Sequence, residues 1–420
     1  MKHIKVMIAL FLGICIFTDV YAQVIGEKLP SWKSGQLDIH HINTGRGNAT
    51  FLLLPDGTTL LIDAGALDPT KPRTKSPRNT AAKPSLDRQP GEWIARYIRT
   101  CMLEAGLDPH LDYAQITHFH DDHMGAPASI SQKSVDGHYL LTGITEVANY
   151  IPIHKIIDRG YPNYDFPNLL NDKMMQNYKS FVASQSKNNS ITFEKSVAGS
   201  KEQITLKNYP ERYHDSFEIR NIISNGALWT GIGNTTKNLF PELASLQPGQ
   251  YPSENMCSIG IKLSYGGFDY FSGGDMPGVL RFGSPMWQDI ETPVSQIVGP
   301  VEALIVDHHG NRDSQNDRLL AALRPQVLVI PVWSSDHPGH DVLDRMLSET
   351  IYPGPRAIFA TDMLEANKLV IGEMLQKLKS DSGHIVIRVS EKGERFQVII
   401  LEDNNESRII KSVHGPYYSR

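Results

Sequence analysis

Short apolar runs separated by turn residues dominate the chain and predict a protein rich in β-strands. The pattern is clearest around Asp56-Gly57, a hairpin-turn pair that lies between two apolar runs. The predicted strands cover residues 37–43, 49–54, 58–63, 111–117, 257–265, 268–272, 301–306 and 383–388. Apolar residues at helical spacing predict helices over 91–105, 169–185 and 342–347. Strands and helices are therefore mixed along the chain.

Two long stretches lack a clear period. Residues 66–91 are rich in Pro, Lys, Arg and Ser, which predicts a surface loop. Residues 131–250 carry many aromatic side chains and are interpreted as an inserted region that contributes a lid or substrate wall. His138, His154 and His214 lie in this region, and each is interpreted as a structural or surface histidine rather than a metal ligand.

The N-terminus has the layout of a signal peptide. Lys2 and Lys5 precede an apolar run over 6–17, and Ala22 provides a small residue at the expected cleavage point. We expect residues 1–22 to be removed and the protein to be exported, either periplasmic or secreted. Cys15 in a loose lipobox is the alternative, which would make the protein a lipoprotein.

Composition narrows the classes of partner. The chain has 420 residues and a net charge of −5, with 40% hydrophobic and 21% charged residues, as in ordinary globular proteins. Mild acidity argues against broad nucleic-acid binding, so a small molecule or polymer fragment is the expected substrate. No apolar stretch beyond the N-terminus is long enough to predict a membrane span. Cys101 and Cys257 are expected to pack as small buried residues.

One short segment concentrates metal-binding side chains. It reads His118-Phe119-His120-Asp121-Asp122-His123. Residues two apart in an extended segment point the same way, so His118 and His120 can hold one metal. Asp122 and His123 follow where the chain must turn, and can reach a second metal beside the first. Imidazole and carboxylate are suitable ligands for divalent ions such as Zn²⁺.

Two later strand ends add candidate ligands. Gly273-Gly274-Asp275 follows the predicted strand 268–272, and a lone aspartate there is by itself most simply a turn residue. The strand 301–306 ends in Asp307-His308-His309-Gly310, and either histidine can serve as a ligand. The second histidine would then act as an outer partner or a catalytic group.

The motif His118-x-His120-x-Asp122-His123 resembles the signature of the metallo-β-lactamase fold superfamily. The resemblance implies an α/β (α+β) chain in a four-layer αββα sandwich of two mixed β-sheets, with insertions and with metals at one edge of the sheets. It also implies that Asp63, in a strand ending Asp-x-Gly, is a buried hydrogen-bonding support.

The same resemblance implies two divalent metal ions, with Zn²⁺ preferred and Mn²⁺ as the alternative. In that superfamily the ligand histidine is usually followed by a small residue, which favours His309 over His308. The implied ligands are His118, His120 and Asp275 for one ion, and Asp122, His123, Asp275 and His309 for the other.

The later motifs resemble one branch in particular, the β-lactamase-like domain of ComEC-type DNA-uptake proteins and their stand-alone exported relatives. The matching positions are Gly45 and Gly47, Asn255, Gly274-Asp275, His308-His309-Gly310, His337-Pro338 and Thr361-Asp362. The resemblance covers about residues 37–400 and leaves 401–420 as a tail. It departs at Asn48, where the branch usually has Asp. Asn255 stands where many β-lactamase-like enzymes have a third histidine on the first metal.

The expected reaction is hydrolysis by a metal-bound hydroxide, because Zn²⁺ lowers the pKa of bound water to about 7. Asp122 would orient the nucleophile, while Asn255, His308 or His337 would polarise the scissile group or protonate the leaving group. A phosphodiester or other phosphate ester is the favoured substrate. A lactone or amide, including a β-lactam, is the alternative enzyme class, and a non-catalytic binding protein on this fold is the third hypothesis.

Overall fold

The computed structural model describes residues 23–420, which form two mixed β-sheets and flanking helices. The predicted signal peptide and the alternative at Cys15 lie outside the described residues. The strands are β1 (Leu37–His41), β2 (Thr50–Leu53), β3 (Thr59–Ile62), β4 (Leu111–Gln115), β5 (Ile153–Asp158), β6 (Thr192–Lys195), β7 (Phe217–Ser224), β8 (Ala227–Trp229), β9 (Thr236–Asn238), β10 (Gly260–Tyr265), β11 (Phe268–Ser272), β12 (Ala303–Ile305), β13 (Val327–Ile330), β14 (Ala357–Ala360), β15 (Leu378–Ser380), β16 (His384–Val389), β17 (Arg395–Leu401) and β18 (Ile410–Tyr418). The helices are α1 (Pro72–Lys75), α2 (Pro90–Glu104), α3 (Asp121–Met124), α4 (Gly143–Tyr150), α5 (Lys173–Lys187), α6 (Pro210–Tyr213), α7 (Glu291–Val298), α8 (Asp317–Leu323), α9 (His340–Leu347) and α10 (Glu365–Ile371). Among residues 23–420, no helix has the length and apolarity needed to cross a membrane.

Each sheet combines an antiparallel half with a parallel half. The first has the order β18-β17-β16-β1-β2-β3-β4-β5-β6, and β3 to β6 pair in parallel. The second has the order β15-β14-β13-β12-β11-β10-β7-β8-β9, and β11 to β15 pair in parallel. Carboxyl ends of parallel strands meet at one edge of a sheet, where loops bring polar side chains together.

Three hydrophobic clusters define four layers. One cluster contains apolar residues from both sheets, such as Leu52 and Leu263, and fills the space between them. A second joins the other face of the first sheet to α2, α4 and α5, and a third joins the second sheet to α7, α8 and α9. Successive side chains of a strand point to opposite faces of the sheet, which explains this division. Phe51 and Leu53 belong to the cluster on the helix side, and Leu52 faces the other sheet. The expected αββα fold class is therefore confirmed.

The region 131–250, expected to be an insertion, supplies β5 and β6 to the first sheet and β7, β8 and β9 to the second. Residues 401–420 were expected to be a tail, but 410–418 form β18 and pair with β17 at the edge of the first sheet. β5 and β7 pair with β4 and β10, which lie far away in the chain, and such non-local pairing leaves little local signal. β18 is an edge strand with many exposed positions, so its sequence lacks a clear apolar run. Cys101 and Cys257 are buried and are not linked by a disulfide.

Candidate metal centre

The segment after β4 changes from extended chain to a single helical turn. His120 keeps an extended backbone (φ −110°, ψ 158°), and α3 begins at the next residue. The extended part brings His118 Nε2 to 3.0 Å from His120 Nδ1. The turn then directs Asp122 and His123, both buried, toward the neighbouring sheet edge. This local change of conformation divides the motif into two ligand pairs.

The first donor set consists of His118, His120 and Asp275. His118 Nε2 lies 3.6 Å from Asp275 Oδ2, in addition to its 3.0 Å approach to His120. Ligand atoms about 2.0–2.2 Å from a tetrahedral Zn²⁺ are separated from one another by roughly 3.4 Å. The observed spacing therefore suits a small divalent ion at the centre of this set.

The second donor set consists of Asp122, His123, Asp275 and His309. His309 Nε2 lies 3.1 Å from Asp122 Oδ2 and 3.3 Å from His123 Nε2. His123 Nε2 lies 3.0 Å from Asp275 Oδ1. The two oxygens of Asp275 thus face different donor sets.

Asp275 is directed into this position by the chain just after β11. Gly274 has a positive φ of 66°, and a Cβ there would lie 2.9 Å from Ser258 Oγ. The same hydroxyl accepts a hydrogen bond from the Asp275 backbone N–H at 3.1 Å. Glycine is therefore required both for the backbone conformation and for the close approach to Ser258.

His308 and His309 have different surroundings although they are adjacent. Both have left-handed backbone angles (φ 47° and 57°), which turns the chain sharply after β12. His309 Nδ1 donates to the Pro331 carbonyl at 2.7 Å, and this fixes the tautomer whose Nε2 lone pair faces the second donor set. His308 Nδ1 instead contacts Asp313 Oδ1 at 2.6 Å. Of the two candidates, His309 is the one placed among the ligands.

The other two residues expected to act in catalysis lie beside the first donor set. Asn255 Nδ2 is 3.2 Å from His308 Nε2, and that nitrogen is 3.9 Å from Asp275 Oδ2. The Asn255 Oδ1 atom is buried and has no hydrogen-bond partner among the described residues. Burial alone would lower the pKa of His308, but the carboxylates of Asp275 and Asp313 raise it to about 9. These contacts place a polar pair beside Asp275.

Asp63 has the buried, hydrogen-bonding position that the resemblance implies for it. Its Oδ2 accepts a hydrogen bond from His123 Nδ1 at 2.7 Å, from Thr117 Oγ1 at 2.8 Å and from Asn48 Nδ2 at 3.1 Å. Its Oδ1 accepts the Thr117 backbone N–H at 2.8 Å. A carboxylate that takes the Nδ1 proton of a histidine partner directs the Nε2 lone pair of that histidine toward a metal.

The electrostatics of the cluster favour a cation. Burial alone would raise the pKa of Asp275, but the imidazoles of His123 and His309 hold it well below its ordinary value. The pKa of Asp122 is also lowered, because His123 and His309 outweigh its burial. Two buried, ionised carboxylates need positive partners. A divalent ion can replace the protonated imidazoles in this role, and the imidazoles then bind the ion as neutral ligands. The donor sets therefore have the chemistry of a metal site.

His337 occupies a different position from the one expected of a catalytic group. It is buried and stacks on His309, with ring centroids 4.9 Å apart and an interplanar angle of 11°. Burial lowers its pKa to about 3. His337 thus packs against the ring of His309, whereas His308 and Asn255 contact each other beside Asp275.

Sequence reasoning missed three supporting residues. Asp313 contacts His308 and lies only five positions after it, so the proximity was visible in the sequence. Glu254 accepts the Phe119 backbone N–H at 2.8 Å and forms a salt bridge with the buried Arg159. These two are 95 positions apart, and no local pattern links them. Arg159 and Glu254 tie the region 131–250 to the loop that carries His118 and His120.

Comparisons with known proteins give only distant likenesses. No protein-family model matches the chain, and no curated protein matches it. A variant of the CmlA β-hydroxylase is 12% identical and has a TM-score of 0.38, with 84% of this chain and 54% of that chain covered. Zn²⁺-bound PqqB from Methylobacterium extorquens is 10% identical and has a TM-score of 0.31, with 70% and 88% covered. The short form of human tRNase Z is 12% identical and has a TM-score of 0.29, with 69% and 91% covered. The chain spans about half the length of the hydroxylase. All three TM-scores are too low to transfer a property of these proteins to this chain.

Proposed function

We propose that this protein is an exported metal-dependent hydrolase that acts on a phosphodiester or another phosphate ester. The observation that carries the proposal is the position of Asp275, whose two carboxylate oxygens face two separate donor sets. Export is supported by the signal-peptide layout of residues 1–22. An N-terminus at Gln23 in protein recovered from outside the cytoplasm would support export, and a protein that keeps Met1 and stays in the cytoplasm would contradict it.

Two divalent ions in this centre would supply an acidified water as the nucleophile and would neutralise charge on the attacking and leaving oxygens. Zn²⁺ is the preferred occupant and Mn²⁺ is the alternative. Asp122 contacts His309 through Oδ2, and its other oxygen can accept a hydrogen bond from the attacking water. Asp122 thereby orients the nucleophile.

His308 is the group proposed to hold a proton for the leaving oxygen. The Asp313 carboxylate accepts the Nδ1 proton, so Nε2 faces Asn255 and the edge of the first donor set. In the neutral imidazole, Asn255 Nδ2 donates to Nε2. In the imidazolium form, which the carboxylates of Asp275 and Asp313 favour, Nε2 carries the proton for the leaving oxygen, and the Asn255 amide turns so that Oδ1 faces it.

The proposed substrate is a phosphodiester or another phosphate ester. A pair of metals suits this class because it would contact both the attacking and the leaving oxygen of an in-line displacement. The resemblance of the later motifs to the ComEC-type branch supports the same class. The Asn255 Nδ2 group, which faces His308 Nε2, favours the alternative, a lactone or amide, because an amide N–H can stabilise the oxyanion of acyl transfer.

The test uses purified protein loaded with Zn²⁺ or Mn²⁺ and the substrate bis(p-nitrophenyl) phosphate. We expect turnover that is lost in His120→Ala, because this variant removes a ligand on a side chain that is not in the core. His214→Ala is the control, since His214 is 84% exposed and pairs with Asp215 away from the donor sets. Turnover of a lactone or amide substrate alone would favour the acyl alternative. Full activity of His120→Ala would refute the metal mechanism, and a folded protein without activity toward either class would favour the non-catalytic hypothesis.

A further inference from the structure

A third group of metal-binding side chains lies at the opposite end of β4 from the metal centre. His110 immediately precedes β4, Asp112 is its second residue, and His154 is the second residue of the neighbouring strand β5. Six positions of extended chain separate Asp112 from His118, which corresponds to roughly 20 Å. We propose that His110, Asp112 and His154 form a separate site for one transition-metal ion of the Zn²⁺ class.

The distances between the donor atoms support this site. His110 Nε2 lies 3.5 Å from Asp112 Oδ2, and His154 Nδ1 lies 3.7 Å from Asp112 Oδ1. One donor atom from each of the three residues lies within 4.8 Å of the others. Ligands of a tetrahedral Zn²⁺ are roughly 3.4 Å apart, so small side-chain rotations bring all three into the ligand shell.

Two of the ligands are held in place by outer partners. Asp112 Oδ2 accepts hydrogen bonds from the Thr59 backbone N–H at 2.9 Å and from Thr59 Oγ1 at 3.1 Å. His110 Nδ1 donates to the Asp108 carbonyl at 2.8 Å, which leaves the Nε2 lone pair available for a metal. Such contacts to backbone and side chain are typical of protein metal ligands, because they fix the tautomer and the orientation.

Exposure makes the site accessible from solution. The Asp112 side chain is 8% exposed, His110 is 30% exposed and His154 is 61% exposed. The Asp112 carboxylate is therefore buried in the sheet, while the imidazoles of His110 and His154 are exposed to solvent. Three protein ligands with solvent in the fourth position make a complete tetrahedral shell. The ion would link the start of β5 to the segment that enters β4.

A simple ion pair of histidine and aspartate is the competing interpretation, and the chain offers a matched example of one. His214 Nδ1 lies 2.8 Å from Asp215 Oδ1 at an exposed position. No third ligand joins this pair among the groups that the described residues form. His214→Ala thus removes a histidine from a carboxylate without removing a predicted metal ligand.

The experiment measures the Zn²⁺ stoichiometry and affinity of the full protein by titration against a competing chelator. Wild type and His214→Ala should bind one more Zn²⁺ than His154→Ala. In His154→Ala, the affinity for Zn²⁺ at this third site should fall by more than roughly 10–100-fold, which is the effect of removing only a residue that hydrogen-bonds to a metal ligand. His110→Ala should give the same result. His154→Ala should unfold at the wild-type urea concentration, since its side chain is 61% exposed.

The two proposals can fail independently. His154→Ala should keep the two ions of the main centre and its hydrolytic turnover, whereas His120→Ala should keep the third ion. Equal stoichiometry and affinity in wild type and His154→Ala would overturn the third site. An equal loss in His214→Ala would also overturn it, because zinc would then bind to any exposed histidine.

Discussion

Replacing Asp63 with asparagine tests whether a residue that binds no metal controls the metal centre. The fully buried carboxylate accepts four hydrogen bonds, three at Oδ2 and one at Oδ1. Asparagine has nearly the same shape but carries one oxygen and one NH₂ group, which can only donate. Asp63→Asn therefore changes the hydrogen-bond pattern without changing the volume.

Both orientations of the new amide are unfavourable. With the amide oxygen at the Oδ2 position, the NH₂ group opposes the Thr117 backbone N–H across 2.8 Å. A buried donor without an acceptor costs about 1–3 kcal/mol. In the reverse orientation the NH₂ group opposes His123 Nδ1, which must then accept. The imidazole proton moves to Nε2, the atom that faces Asp275 and His309. We expect metal affinity to fall about 10–100-fold.

The assay combines metal titration with urea unfolding of the metal-free protein. Asp158→Asn is the matched control, because Asp158 is also fully buried and accepts four hydrogen bonds. Its donors are Gly160 N, Tyr161 N, Tyr164 Oη and Tyr178 Oη. The control should lose stability and keep wild-type metal affinity. Wild-type metal affinity in Asp63→Asn, or an equal loss of affinity in Asp158→Asn, would refute the reasoning.

Two further predictions concern stability away from the site. Burial and the nearby Glu92 raise the pKa of Glu146 from 4.5 to about 7, so the folded state favours the protonated form. The free energy of unfolding of wild type should therefore fall relative to that of Glu146→Gln as the pH rises from about 4.5 to about 7, by up to about 3 kcal/mol, and should not change further above pH 7. A difference between the two proteins that is the same at every pH in urea unfolding would contradict this. Arg388 donates to both oxygens of the buried Asp38, at 2.9 and 2.6 Å. Arg388→Met leaves this carboxylate unpaired, so the free energy of unfolding measured in urea should fall by about 3–5 kcal/mol. The double variant Arg388→Met with Asp38→Leu should recover most of this loss. A loss below about 1 kcal/mol in the single variant would show that Asp38 finds another partner.

Several elements of the fold could be predicted from local pattern alone. The hairpin of β2 and β3 and the strand β11 were predicted to within a residue or two, because apolar runs bounded by turn residues are local signals. The predicted strand 257–265 begins only at Gly260, since Asn255–Cys257 form a short 3-10 turn. The strands within 131–250 were not predicted. β5 and β7 pair with the distant strands β4 and β10, which leaves little local signal. The hairpin of β7 and β8 does carry a local signal, the Asn225-Gly226 turn, which sequence reasoning missed.

The chemistry of the site was determined by the sequence. Imidazole and carboxylate groups are metal ligands wherever they are placed together, and the spacing of His118 and His120 already directs both side chains to one side of an extended chain. A glycine before Asp275 and one after His309 were further local signals. The ligand types within 118–123 needed no tertiary information, whereas Asp275 and His309 were assigned as ligands through the resemblance to the metallo-β-lactamase fold superfamily.

Tertiary structure alone decided how these groups meet. His123 and His309 are 186 positions apart, and their 3.3 Å approach depends on two sheets that pack face to face. The two oxygens of Asp275 face different donor sets, and left-handed backbone angles direct His309 to the ligands and His308 to Asp313. Residue type and local spacing are properties of the chain itself, whereas these contacts arise from strand order and packing, which join residues far apart in sequence.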